Sequence, residues 1–62
     1  MAKMRLSSYT FTAKDGKRYT CSQANNRYEA RKRIESMWNV NLKGAAYEEH
    51  YGARILATGI ER

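Results

Sequence analysis

"YTFTAKDGKRYTCS", residues 9–22, decides the fold, because two alternating segments flank a glycine turn whose length sets which faces meet. In the first segment Tyr9, Phe11 and Ala13 alternate with Thr10 and Thr12, following Ser8. In the second, Tyr19 and Cys21 alternate with Arg18, Thr20 and Ser22. Aromatic and β-branched residues in period two mark half-buried strands. A two-residue Asp15-Gly16 loop would pair Phe11 with Thr20 and send the apolar residues of the two strands to opposite faces. A three-residue loop of Lys14, Asp15 and Gly16 instead pairs Phe11 with Tyr19 and Tyr9 with Cys21, so that all of them share one face. The spacing therefore predicts a type I turn with Gly16 in the left-handed region of a G1 bulge. The other face then carries Ser8–Ser22, Thr10–Thr20 and Thr12–Arg18, which is flat and rich in hydroxyls.

A helix follows. Asn26 is an N-cap with Glu29 three residues later, a relative of the capping box, and Asn39 ends the helix. At 100° per residue Ala30, Ile34, Met37 and Trp38 form one apolar stripe, expected to cover the Tyr9/Phe11/Tyr19/Cys21 face of the hairpin. Met37 and Trp38 read as core on burial statistics. "VNLKG", residues 40–44, is ambiguous. "AAYEEHYG", residues 45–52, reads as a turn or two of helix, with Tyr47 and Tyr51 in i,i+4 contact and Gly52 as its stop. "ARILATGIE", residues 53–61, reads as a last strand, apolar on both sides and so suited to a central position. The expectation is an α+β fold, an antiparallel three-stranded sheet packed on one main helix, in the order strand, strand, helix, short helix, strand.

The chain has 62 residues, no proline, no repeat and no low-complexity linker, so residues 1–62 read as a single small basic domain. A domain of this size is only marginally stable and usually needs a staple, an oligomer or a partner. Cys21 is the only cysteine, which excludes an internal disulfide and a metal site built on cysteine spacing. A lone thiol suits a reducing compartment. No apolar run is long enough for a signal segment or a bilayer span. A soluble, cytoplasmic protein with no membrane partner is expected.

Catalysis is not expected. His50 is the only histidine, and the sequence has no glycine-rich phosphate loop, no paired zinc ligands and no Ser/His/Asp set. Glu48, Glu49 and His50 are adjacent, but consecutive helical residues point about 100° apart and do not converge on a metal. No cofactor and no metal is implied.

Charge is the more informative signal. The net charge is +6, and residues 1–43 hold ten bases and three acids (+7), whereas Arg54 and Arg62 against Glu48, Glu49 and Glu61 leave residues 44–62 at −1. A basic field of this kind attracts polyanions whatever the fold. On the helical wheel Arg27 and Arg31 stand along one edge of the apolar stripe, Arg33 along the other, and Lys32 points outward. Glu29–Arg33 and Arg31–Glu35 form i,i+4 pairs that account for part of the pattern. Arg27 sits in the first turn, where the helix dipole disfavours a cation but attracts a phosphate. Asn25, Asn26, Arg27 and Arg31, with Lys17 and Arg18 from the hairpin and Lys32 from the helix, then read as phosphate contacts, and exposed Tyr28 as a stacking or packing aromatic at their edge.

"FTAKDGKRYTCSQANNRYEARKRIESMW", residues 11–38, is similar to the strand–strand–helix half of double-stranded-RNA-binding domains, with Arg27, Ala30 and Arg31 at the matching basic-x-x-Ala-basic positions. The hairpin and helix also resemble the three-stranded-sheet DNA-binding domains of integrases and plant transcription factors. That likeness implies reading residues on the sheet, here Arg18 with Thr10, Thr12 and Thr20. The element order is similar, too, to small phage proteins that block a host enzyme. Each likeness covers about half the chain. The leading expectation is a small non-enzymatic nucleic-acid-binding protein, DNA or RNA, from a phage or other mobile element. The second is a phage-type inhibitor or modulator that binds a host protein through the Ser/Thr sheet face or a sheet edge. The third, compatible with either, is a homodimer by edge-strand pairing.

Overall fold

The computed structural model describes residues 7–62 and contains β1 (Ser7–Thr12), β2 (Arg18–Ala24), α1 (Arg27–Trp38), β3 (Ala46–Tyr51) and β4 (Arg54–Ile60). Residues 1–6, which belong to the N-terminal stretch expected to carry no signal segment, lie outside the described residues. The strands form one four-stranded sheet in the order β2-β1-β3-β4, with every neighbouring pair antiparallel. β2 and β3 therefore run in the same direction on either side of β1, and α1 is the crossover between them. The fold is α+β. No helix among the described residues is long and apolar enough to cross a membrane.

The first hairpin has the expected register. Tyr9 pairs with Cys21, Thr10 with Thr20, Phe11 with Tyr19 and Thr12 with Arg18. Gly16 has φ +92°, its N–H donates to Ala13 O at 2.9 Å, and Ala13 N–H donates to Lys17 O at 2.8 Å. That is the three-residue loop with a left-handed glycine that the alternation requires. The expected Ser8–Ser22 pair does not form. Ser7 pairs with Ala24, so β2 carries one extra residue there, and Gln23 takes it up with φ +58°.

α1 also has its expected bounds. Asn26 Oδ1 accepts from Glu29 N–H at 2.8 Å, and Glu29 Oε1 accepts from Asn25 N–H at 3.0 Å. Asn39 closes the helix in the left-handed conformation, φ 54°. Ala30 and Ile34 are buried, as the stripe predicts. Met37 and Trp38 are not core: they are 76% and 59% exposed. The helix packs on β1 and β2, and beyond Ile34 the core is closed by Leu42, Ala45 and, in part, Val40 from the segment after the helix. The last helical turn therefore projects at the β2 margin, with the Tyr19 and Trp38 rings 5.9 Å apart. Cys21, expected inside the core, is only half-buried.

The second half departs further from expectation. Residues 46–51 are strand β3, not helix, so the sheet has four strands rather than three. Tyr47 and Tyr51 fit period four and period two equally, and tertiary pairing decides between them. β1 is the most buried strand and has a second edge to satisfy, which β3 takes: Phe11 pairs with Tyr47 and Tyr9 with Glu49. Gly52 is then not a helix stop but the first residue of a two-residue hairpin loop, with φ +61°. A positive φ at the first loop residue alone is the type II′ pattern. β4 is an edge strand rather than a central one, with a bulge where its pairing to β3 shifts between Glu49 and His50.

Candidate functional site

Phe11 is fully buried beneath α1, so the cross-strand alternation assigns the faces. Tyr9, Phe11, Tyr19, Cys21, Tyr47, Glu49, Ala57 and Gly59 lie on the helix side. Thr10, Thr12, Arg18, Thr20, Glu48, Thr58 and Ile60 lie on the open side. This separates the residues predicted to contact phosphates. Arg18 is on the open face, where it meets Glu48 at 3.6 Å, while Arg27 and Arg31 are on the helix side. Lys17 is in the turn, its backbone N–H bonded to Asp15 at 2.9 Å. Asn26 spends its side-chain oxygen on the helix cap. Tyr28 is exposed, and Lys32 Nζ lies 5.7 Å from its ring centroid.

Arg27 and Arg31 have an internal partner that sequence reading missed. Glu61 is 5% exposed, and its Oε1 accepts from Arg31 Nη1 at 2.9 Å. Its Oε2 lies 2.6 Å from Arg27 Nε but accepts no hydrogen bond among the described residues, because that N–H is not aimed at it. Arg31 Nε also donates to Glu35 Oε2 at 3.0 Å, and the same oxygen accepts from Leu42 N–H at 2.9 Å. The Leu42 N–H, then Arg31, hold the Glu35 carboxyl below its usual range against the opposing effect of burial. Hydrogen bonds donated to Glu35 and Glu61 raise the pKa of Arg31. Arg27 stacks over the Tyr47 ring at 4.3 Å, and that ring in turn lies on Gly59, where an added Cβ would stand 2.6 Å from it. The helix edge and the end of β4 thus form one ion-paired layer, which lines a cleft of about 670 Å³ with Tyr28, Ile60 and Arg62 at its rim. Its partners are 30 and 34 residues apart, and no local spacing announces them.

Glu29–Arg33 at 3.4 Å is the other expected helical pair. Among the described residues Lys14, Lys17, Lys32, Lys43, Arg54 and Arg62 stand in none of these ion pairs. Lys14 lies across the next loop, with Cε 2.7 Å from the position of a Cβ on Gly44. The β1–β2 turn and the loop before β3 are therefore adjacent, and bring Lys14, Lys17 and Lys43 into one neighbourhood.

The second concave feature is a groove of about 250 Å³ between α1 and the free edge of β2, lined by Thr20, Cys21, Ser22, Arg33, Ile34, Met37 and Trp38. The hydrogen-bond pattern of the hairpin shows what that edge offers. Ala13 and Lys17 are a bonded pair, so the alternation makes Phe11/Tyr19 and Tyr9/Cys21 bonded pairs as well. Arg18 and Thr20 consequently turn their backbone N–H and C=O groups outward along the edge. Unpaired strand groups beside an apolar trough are the two components a β-strand ligand requires. Comparison of the chain with protein-family models, curated proteins and solved structures returns no match.

Proposed function

We propose that the protein is a non-enzymatic binding module that captures an extended segment of a partner protein along β2. The observation that carries this reading is the exposed Met37–Trp38 pair standing over a strand edge whose alternate backbone groups have no partner strand among the described residues. A strand added about 4.8 Å from β2 would bond to Arg18 and Thr20 and send every second side chain into the Ile34/Met37/Trp38 groove. Arg33 lines it, and Lys17 stands at the head of β2, so the segment recognised is apolar in alternation and acidic at its flanks. An exposed tryptophan at such a site is a typical energetic anchor. The reading fits an inhibitor or modulator that acts by occupying its target.

Selection of a displayed random-peptide library on the immobilised protein tests this. The expected consensus alternates apolar residues with acidic flanks, and Trp38→Ala should reduce binding of the selected peptides at least about tenfold. Recovery of no consensus, or of peptides whose binding is indifferent to Trp38→Ala, would reject the reading.

Nucleic-acid binding is the second reading, and the convergence of Lys14, Lys17 and Lys43 supports it. Among the described residues those lysines are in no ion pair, whereas Arg27 and Arg31, two of the residues expected to contact phosphates, are held by Glu61. On this reading a Lys14→Ala, Lys43→Ala double variant weakens duplex binding and flattens its salt dependence by about two phosphate contacts. Arg27→Ala has the smaller effect.

A further inference from the structure

The two edges of the sheet differ in chemistry. β2 is bordered by Arg18, Arg33 and Lys17. β4 has no charged residue from Ile55 to Ile60 and no proline, and it exposes Ile55, Leu56 and Ile60, the last at 60%. Natural edge strands usually carry a charge, a proline, a bulge or a cover that blocks pairing; the bulge of β4 falls at Leu56, and the regular stretch Ala57–Ile60 beyond it has neither charge nor proline. We propose that β4 is the interface for a second copy of this chain, paired antiparallel about a two-fold axis at Thr58 into a continuous eight-stranded sheet.

The register follows from the backbone. Glu61 N–H donates to Ala45 O at 2.8 Å, which makes Ala45/Glu61 a bonded pair. Alternation along the ladder then turns Gly59 and Ala57 inward to β3 and leaves Thr58 and Ile60 bonding outward. A two-fold axis normal to the sheet sets one residue opposite itself, and Thr58 is the outward-bonding residue inside the regular stretch of β4. With Thr58 there, the two copies exchange N–H to C=O bonds at Thr58, and Ile60 of each comes up against the bulged Leu56 of the other. Ala57 stands opposite Gly59, so the helix-side face meets without bulk. The exposed leucine and isoleucines come together on both sides of the axis.

Charge selects the same edge. A copy carrying +6 repels another at most of its surface, but the excess lies in residues 1–43 at +7, whereas residues 44–62 carry −1. The β3–β4 half is the one part of the chain whose charge does not oppose self-association. The small core, essentially Phe11, Leu42, Tyr9 and Ile34 with three alanines, gives such a domain reason to gain stability from a partner.

Sedimentation of the full chain over a concentration series tests the interface. The expected result is a reversible shift from 7.2 kDa to twice that mass, strengthened by salt as the basic halves are screened. Thr58→Pro removes an N–H that points outward and leaves the β3–β4 ladder intact, so it should hold the protein monomeric with an unchanged circular dichroism spectrum. A second variant, Thr58→Cys on a Cys21→Ser background, should cross-link under mild oxidation, because residues facing each other across a bonded pair are about 5.5 Å apart at Cα, within disulfide range. A monomer at every concentration that also fails to cross-link would overturn the proposal. So would a dimer that survives Thr58→Pro in its folded form.

Discussion

Glu61 Oε1 lies 2.9 Å from Arg31 Nη1, and this contact ties the residue after the last strand to the middle of the only helix among the described residues. It also places a carboxylate beside Arg27, so the pair of arginines that looked free for a ligand is engaged within the fold. Arg31 is mostly buried and bonded along its N–H directions, whereas Arg27 is half-exposed and met off-axis, so the two arms of the contact should differ in strength. Glu61→Ala should cost about 1–3 kcal/mol. In double-mutant cycles read by urea denaturation, the Arg31–Glu61 coupling should exceed the Arg27–Glu61 coupling.

Leu42 has no exposed surface, yet it comes from a loop. It fills the space beyond Ile34 that the helix stripe leaves open. Leu42→Ala should therefore cost as much as a helix or strand core truncation, about 2–5 kcal/mol, while Met37→Ala should cost less than about 1 kcal/mol. Thermal or urea unfolding of the two variants makes the comparison directly.

Acid sensitivity should trace in part to Glu35. Its carboxyl is held below its usual range by the Leu42 N–H and Arg31, so its folded-state pKa is depressed. The stabilisation it gives is fully present above the unfolded value of about 4.3 and is lost as pH falls through the lower folded value. Glu35→Gln should flatten the stability–pH curve below about pH 4.3 while keeping an acceptor for Leu42. Urea midpoints measured at a series of acidic pH values would show whether the slope changes.

Gln23 occupies the left-handed region with φ +58°, at the bulge that ends β2. A side chain there costs about 1–2 kcal/mol, partly offset by the greater unfolded-state freedom of glycine. Gln23→Gly should stabilise the fold by up to about 1 kcal/mol, and Gln23→Val, β-branched in that region, should destabilise it. Denaturation midpoints of the two variants should move in opposite directions.

The first hairpin was legible because face matching and turn geometry demand one loop length, and Gly16 satisfies it. The helix bounds were legible because Asn26 and Asn39 are local signals that act within four residues. The β3 strand was not, since Tyr47 and Tyr51 fit either period and only the unsatisfied second edge of β1 selects extended backbone. Trp38 was misread for a related reason. A stripe predicts which side of a helix faces the sheet, but not how far the sheet extends beneath it, and here Leu42 closes the core before the helix ends. The residues proposed as phosphate contacts were placed by sequence proximity. The fold divides Arg18 from Arg27 and Arg31 by the thickness of the sheet, and Glu48 and Glu61, which pair with them alongside the local Glu35, are distant in sequence.

Amide hydrogen exchange on the protein bound to a selected peptide tests strand capture at β2 most directly. Thr20 and Arg18 point their N–H groups out of the sheet, so strand addition should slow their exchange at least about tenfold, as one added hydrogen bond in a cooperative ladder does. Thr58, at the opposite edge, should be unaffected when peptide is added at fixed protein concentration. Protection that appears at Thr58 or in the Lys14–Lys43 loops while Arg18 and Thr20 exchange as before would contradict the account.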